Sequence, residues 1–180
     1  MAIFNFYLKD KGVSGPAWGE GDGHFVGLNL KVLLDKACGF KDSGFSASDF
    51  WWDPAPGTIK DHELLVYFVP DVSDSVIVGA GYSIDSTKNG NTAYLGSKPR
   101  ISEVYVNKVL QFDDRHMLLV NLCLHEMMHN KLAPFDIHTK GGGGVATDGI
   151  IYSSTEFTID NQKLMAKALS KKVPQYTAAL

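Results

Sequence analysis

The sequence predicts a single α+β domain in which a mixed, twisted sheet packs on helices. The chain has 180 residues and a mass of 19.7 kDa, which suits one hydrophobic core better than two domains. Hydrophobic residues make up 44% and charged residues 21% of it, so a disordered or fibrous protein is excluded. Segments with strand periodicity and segments with helical periodicity both occur, and the most apolar helical segment follows the strands.

Strand and helix signals alternate in the first half of the chain. Residues 2–8 form an apolar run of strand length, and residues 63–69 form a nearly continuous one that is typical of a central strand. Glycine-rich residues 14–27 predict a loop, and the apolar spacing over 28–38 predicts a helix. A further strand is predicted at 76–78, followed by an exposed hairpin or long loop over 79–91.

The second half of the chain contains a half-buried strand and two helices. Residues 102–107 alternate polar and apolar, which predicts a strand near a sheet edge. Asp113 or Asp114 offers an N-cap for a central, largely apolar helix that ends near Lys131. A last helix is predicted with a cap at Ser153, Ser154 or Thr155 and an apolar stripe of Phe157, Ile159, Leu164, Met165 and Leu169.

Charge, cysteine content and hydropathy limit the class of protein. The chain has 17 basic and 20 acidic residues and a net charge of −3, so we expect no nucleic-acid partner. Cys38 and Cys123 lie in apolar stretches, which favours buried thiols over a disulfide. We also expect no membrane span and no Sec signal peptide, because no apolar run is long enough and the first residues lack a basic n-region. A cytoplasmic protein, export by a signal-less route and prior removal of a signal all remain open.

One motif in the central helix carries chemistry: His125-Glu126-Met127-Met128-His129. Residues i and i+4 of a helix lie one turn apart on the same face, so both imidazoles can reach one metal ion. Glu126 can then act on a water at that ion. Zinc favours such nitrogen ligands and keeps one position open for water when it is catalytic. The alternative without a metal is a buried polar seam in which the two histidines only satisfy hydrogen bonds.

Catalytic zinc usually has three protein ligands, so the motif requires one more. His138 follows His129 by nine residues, in a predicted loop, and the glycines just beyond it would let the chain turn back over the helix. Asp136 could orient an imidazole as a hydrogen-bond partner, or be a solvated loop acid. The candidates downstream of the motif are Asp136, His138, Asp148, Glu156 and Asp160.

With these features the sequence resembles the metzincin clan of zinc metalloendopeptidases. The resemblance rests on the His125-Glu126-x-x-His129 motif, on His138 downstream of it, and on the order of strands, active-site helix and C-terminal helix. It implies a zincin-like α+β fold over residues 1–180, with the sheet packed on those two helices. It also implies one zinc ion per chain, bound by His125, His129 and His138.

The resemblance implies hydrolysis of peptide bonds in a protein or peptide substrate. Zinc would lower the pKa of a bound water and polarise the scissile carbonyl, while Glu126 takes the proton as general base and passes it to the leaving amine. Tyr152 is expected either to stabilise the oxyanion, as a tyrosine does in some members of the clan, or to be a core residue. Ile150 or Ile151 could supply the apolar floor beneath the metal, where the clan has a methionine. An extended substrate is expected to add to the strand at 102–107.

Two alternatives remain open. Glu156 and Asp160 fit the ExxxD pattern of the thermolysin-like gluzincins, in which Glu156 would be the third ligand. We favour His138, because a gluzincin normally has a substantial helical domain after the motif. The second alternative is a zinc-binding toxin-like or interaction module without peptidase activity. It is supported by Leu132 and Phe135, which stand where the metzincins have a glycine and the third ligand, and by the missing methionine.

Overall fold

The strands form one five-stranded mixed sheet and one two-stranded ribbon. The computed structural model describes residues 2–13, 18–38, 45–51, 58–59, 63–95, 98–112, 114–131, 136–140, 142–169 and 176–177. In chain order the strands are β1 (Ala2–Asp10), β2 (Phe45–Trp51), β3 (Thr58–Ile59), β4 (Glu63–Val69), β5 (Gly90–Leu95), β6 (Lys98–Tyr105) and β7 (Tyr176–Thr177). The large sheet has the order β2-β1-β4-β6-β5, and β3 pairs with β7.

The large sheet is parallel except at β5. Strands β2, β1, β4 and β6 pair in parallel, and β5 runs antiparallel to β6 at the edge. The apolar side chains that the structure describes on the three inner strands are buried, as a sheet covered on both faces requires; they include Phe6, Leu8, Val66, Phe68 and Val104. The prediction of an α+β fold with a mixed sheet is confirmed.

Six helices lie in the described residues: α1 (Glu20–Cys38), α2 (Val76–Gly79), α3 (Val106–Val109), α4 (Arg115–Lys131), α5 (Asp136–Lys140) and α6 (Ile159–Leu169). Helix α4 contacts β4, β5 and β6 and also α1, α3 and α6, so the predicted central helix is confirmed. No helix in these segments is long and apolar enough to cross a membrane. Cys123 on α4 is buried as a free thiol, and burial raises its pKa.

Helix α1 begins eight residues earlier than its apolar spacing indicated, so the predicted loop over 14–27 is wrong for its second part. The Gly19 N–H donates to the carboxylate of Asp22 at 2.7 Å, which caps the first turn. Gly23, Val26 and Gly27 are buried within the helix. This burial outweighs the low helical propensity of glycine.

Two predictions about strands are also wrong. Residues 76–79 form helix α2 and no strand. Strand β6 is flanked by β4 and β5, so it is not at the edge, and it ends at Tyr105 where α3 begins. The edge strand is β5, which starts inside the segment predicted as a hairpin or loop. Residues 102–105 of β6 are buried on both faces, and the polar residues Ser102 and Glu103 have hydrogen-bond partners in place of solvent.

Glu103 explains why residues 76–79 are helical. Its fully buried carboxylate accepts hydrogen bonds from the Ser75 hydroxyl at 2.5 Å, the Val76 N–H at 2.9 Å and the Ile77 N–H at 3.3 Å. The Tyr105 hydroxyl donates to the same carboxylate at 2.5 Å. The two N–H groups belong to the first turn of α2, which needs acceptors from outside the helix. A carboxylate from the neighbouring strand therefore stabilises the helix start.

The last helix differs from its prediction in its cap and its buried face. Helix α6 starts after Thr158, whose hydroxyl accepts from the Asn161 N–H at 3.2 Å, so Ser153, Ser154 and Thr155 are not its caps. Ile159 is 62% exposed, whereas Asn161 and Met165 are buried. Outside the described residues lie Asp113, Leu132 and Phe135, and the side chains of Cys38, Asp136 and Leu169 are not described either.

Glu103→Leu should lower the free energy of unfolding by about 3 kcal/mol or more, because it leaves several buried donors without an acceptor. Urea unfolding followed by circular dichroism would measure the change. Glu156→Leu is the matched control, since Glu156 is exposed and a surface substitution should change the value by no more than about 0.5 kcal/mol. Equal effects of the two variants would contradict a structural role for the Glu103 carboxylate.

Candidate metal centre

Helix α4 brings two imidazoles and one carboxylate together. His125 and His129 lie one turn apart, with their Nε2 atoms 3.1 Å apart. Glu126, next to His125, is buried. The helix is held between the sheet and α1, so these polar side chains lie where apolar burial has already excluded most water.

His138 completes a cluster of three histidines. It lies on the short helix α5, where the sequence had indicated a loop. Its ring centroid is 5.5 Å from that of His125 and 4.8 Å from that of His129. One nitrogen from each of His125, His129 and His138 lies within 4.8 Å of the others, and in the described part of the chain this is the one group of three such side chains that could hold a metal ion.

Two adjacent backbone carbonyls orient two of these rings. His125 Nδ1 is 2.7 Å from the Val145 oxygen, and His138 Nδ1 is 2.9 Å from the Ala146 oxygen. A carbonyl oxygen only accepts, so each Nδ1 must carry the proton and donate it. The Nε2 of each ring then faces away from the carbonyl, the arrangement found in metal-binding histidines. Burial lowers the pKa of His125 to about 4, so this ring is neutral at pH 7.

Glycines allow the segment that carries these carbonyls to approach the cluster. Gly143 has φ of 84° and Gly144 has φ of 61°, in the left-handed region that favours glycine. A Cβ on Gly144 would lie 2.5 Å from the Glu156 oxygen. The Asn161 side chain donates to the Gly143 oxygen at 2.9 Å, and the Val145 N–H donates to the Glu156 oxygen at 3.0 Å.

The carboxylate of Glu126 lies against the edge strand β5. The Thr92 hydroxyl donates to Glu126 Oε2 at 2.6 Å. A Cβ on Gly90 would lie 2.9 Å from Glu126 Oε1, so only glycine leaves room for this carboxylate beside the strand. Burial raises the pKa of Glu126 to about 8, against the opposing effect of the Thr92 hydrogen bond.

The histidine cluster and Glu126 open into a cavity of about 550 Å³. Strand β5, the segment before it and residues 147–151 line this cavity. Leu122 and Ile151 provide apolar surface in it. Of the two residues predicted as an apolar floor beneath the metal, Ile151 is the one that belongs to the hydrophobic core. Ile150 is 73% exposed at the rim.

The other described candidate residues do not join the cluster of three histidines. Tyr152 is 59% exposed and is not among the side chains that line the cavity, so the structure does not bring it to the cluster. Glu156 is exposed, and Asp160 is exposed in the first turn of α6; neither joins the three histidines. Asp148 lines the cavity as an exposed side chain. The side chain of Asp136 lies outside the described part.

Sequence reasoning missed the residues that support the site. Gly90 lies in the segment predicted as a hairpin or loop and Thr92 follows directly after it, so no strand pattern pointed to them. Asn121, buried on α4, donates to the backbone oxygens of Tyr152, Ser153 and Thr155 at 2.9–3.1 Å and so holds the chain beyond the cavity wall. A buried asparagine one turn before His125 in an apolar helix was the one available signal, because such a side chain requires partners.

Comparisons with known protein families, curated proteins and solved structures found no match. The likeness to the metzincin clan therefore stays a prediction from the motif. The geometry nevertheless defines a kind of site: three imidazoles with convergent nitrogens and one buried carboxylate at the base of an open cavity.

Gly144→Ala should destabilise the protein more than Gly143→Ala. Both positions have positive φ, which costs alanine about 1 kcal/mol. The Cβ of Gly144→Ala would also collide with the Glu156 oxygen, whereas at Gly143 nothing lies within 4 Å. We expect about 1 kcal/mol for Gly143→Ala and about 3 kcal/mol for Gly144→Ala, measured by urea unfolding. Equal costs would contradict the close approach at Gly144.

Proposed function

We propose that His125, His129 and His138 bind one zinc ion and that the protein is a zinc-dependent endopeptidase with Glu126 as general base. One observation carries the proposal. Three imidazoles converge beside a buried carboxylate, in a cavity that is large enough for part of a polypeptide.

The donor set fits zinc. Two nitrogens that are each about 2.0–2.1 Å from a tetrahedral ion lie about 3.3 Å apart. The Nε2 atoms of His125 and His129 are 3.1 Å apart, so little movement would be needed. Two of the three rings are already oriented by backbone carbonyls, as ligands of a preorganised metal site usually are. Three histidines leave the fourth position of a tetrahedral ion for water.

The chain's own residues account for the remaining steps. Zinc, when bound, would act as a Lewis acid that lowers the pKa of a water and polarises a carbonyl. Glu126 removes the proton from the attacking water and delivers it to the departing amine nitrogen. Because the carboxylate is buried, bulk water does not solvate it. The three histidines would hold the ion.

Strand β5 supports a polypeptide substrate. It pairs with β6 along one edge, and in the described residues no strand pairs with its other edge. Gly90, Asn91 and Thr92 of this strand line the cavity beside Glu126. An extended peptide can add to such an edge through main-chain hydrogen bonds. The substrate strand that the sequence placed at 102–107 therefore belongs at β5.

A zinc-binding module without peptidase activity is the second candidate. The position of Tyr152 favours it, because the side chain expected to stabilise the oxyanion is 59% exposed and away from the cavity lining. The two candidates share the metal and differ only in turnover, so zinc binding and peptide cleavage must be measured separately.

The purified protein should contain close to one zinc ion per chain, as measured by inductively coupled plasma mass spectrometry. His125→Ala, His129→Ala and His138→Ala should each lower zinc affinity by orders of magnitude and abolish the rise in melting temperature on adding zinc, because metal binding is linked to folding.

Two variants control for this experiment. His24→Ala removes an exposed imidazole outside the cluster, and Glu156→Gln removes the carboxylate of the rival ligand set. Both should retain zinc. Loss of zinc in Glu156→Gln together with retention in His138→Ala would contradict the three-histidine site, as would wild-type protein that neither holds zinc nor gains stability from it.

Glu126→Gln should keep the zinc and lose at least about a hundredfold in the rate of peptide cleavage, since a general base is removed and no ligand is lost. The assay is cleavage of a diverse peptide library followed by mass spectrometry. Wild-type protein that binds zinc and cleaves nothing in the library would favour the binding module over the peptidase.

A further inference from the structure

We propose that Thr92 is a positioning residue for the reaction, and that its hydroxyl holds the Glu126 carboxylate in the orientation in which it acts as base. The inference rests on the proposed function. Its basis is a contact between the edge strand β5 and helix α4, made by two residues that lie 34 positions apart in the chain.

The distances around the Thr92 hydroxyl and the strength of each acceptor indicate to which oxygen this hydroxyl donates. The Thr92 hydroxyl has one proton and three oxygens within reach: Glu126 Oε2 at 2.6 Å, the Ser102 hydroxyl at 2.9 Å and the Glu126 backbone oxygen at 3.2 Å. The shortest contact is to the carboxylate, which is also the strongest acceptor, so the proton lies there. The Ser102 hydroxyl then donates to Thr92 or to the Glu126 backbone oxygen, 3.3 Å away.

Gly90 lies on the other side of the same carboxylate, and its lack of a side chain leaves room for it. Residues 90 and 92 lie on one face of β5, because side chains alternate along a strand. The position of a Gly90 Cβ would be 2.9 Å from Glu126 Oε1 and 3.2 Å from Glu126 Cγ. One strand therefore lies beside both oxygens of the base: Thr92 donates a hydrogen bond to Oε2, and the missing side chain of Gly90 leaves room for Oε1.

This arrangement matters because a glutamate has several rotatable bonds and the base must meet the attacking water in one geometry. Thr92 occupies Oε2, which leaves Oε1 to take the proton. Strand β5 is also the strand to which a substrate would add. The base and the substrate would then be located by one element of the fold, and a shift of β5 would displace both.

The test compares Thr92→Val with Thr92→Ser and Ser102→Ala, using the peptide from the library that the wild-type protein cleaves fastest. Thr92→Val keeps the shape and removes the hydroxyl. It should lower kcat about tenfold or more with little change in KM, because the ionised form of Glu126, which is the form that acts as base, loses a hydrogen bond. Thr92→Ser should restore most of the rate. Ser102→Ala removes a hydroxyl that contacts Thr92 and the Glu126 backbone oxygen but not the carboxylate, so it should lower kcat less than Thr92→Val does. Zinc content should be unchanged in all three.

A double-mutant cycle separates positioning from general structural damage. Thr92→Val should cause no further loss in a Glu126→Gln background, since a residue that acts through the base has nothing to act on once the base is removed. If Thr92→Val does not fold, Thr92→Ala removes the same hydroxyl without added bulk and is measured in the same way.

A second cycle needs no activity. In zinc-free protein, Thr92→Val should lower the urea midpoint of wild type more than that of Glu126→Met, because only the wild type loses the partner of a buried carboxyl. Additive effects in this cycle would overturn the hydrogen bond. Equal kinetic losses in the Glu126 and Glu126→Gln backgrounds, or an active wild type that is unaffected by Thr92→Val, would overturn the positioning role alone. A wild type that cleaves nothing overturns that role together with the proposed function, while the unfolding cycle still reports on the bond.

Discussion

The burial of helix α4 is the constraint on which the rest of the structure depends. The helix lies between the sheet and α1, and on a largely apolar surface it carries the imidazoles of His125 and His129, the carboxylate of Glu126 and the amide of Asn121. Each buried polar group needs a partner, since an unpaired one costs as much as several apolar contacts contribute. Strand β5 supplies the partner of Glu126, and the segment after α5 supplies that of His125. Most of the local geometry around the cavity follows from this requirement.

The same requirement accounts for the glycines near the cluster. A carbonyl reaches a buried imidazole only if its backbone comes close, and a Cβ on Gly144 would prevent this. Gly90 does the same for a carboxylate beside an edge strand. In both places the small residue serves close packing of polar groups, and at Gly144 it also permits a positive φ. At these two positions, the absence of a side chain lets a polar group pack closely in one orientation.

The buried Glu103 shows how one polar partner changes secondary structure. Its carboxylate accepts from the first turn of α2 and from Tyr105, and Tyr105 in turn accepts from the Asn91 amide at 3.0 Å. This chain of hydrogen bonds joins a helix start, an inner strand and the edge strand that lines the cavity. An apolar segment of three residues that would suit a strand becomes helical because its N–H groups find a carboxylate there.

The sequence by itself determined what depends on local spacing. It predicted an α+β fold, the inner strand β4, the central helix α4 and the placing of His125 and His129 one turn apart, because helical and strand periodicity are properties of neighbouring residues. It indicated His138 as the third member of the cluster, from a histidine and a glycine run close behind the helix. Only the tertiary structure decided that β5 is the edge strand, that α1 starts at Glu20, that Tyr152 lies apart from the cavity, and that Thr92 contacts Glu126. These outcomes depend on pairings between residues far apart in the chain, where burial and hydrogen-bond satisfaction override local propensity and no periodicity records the partner.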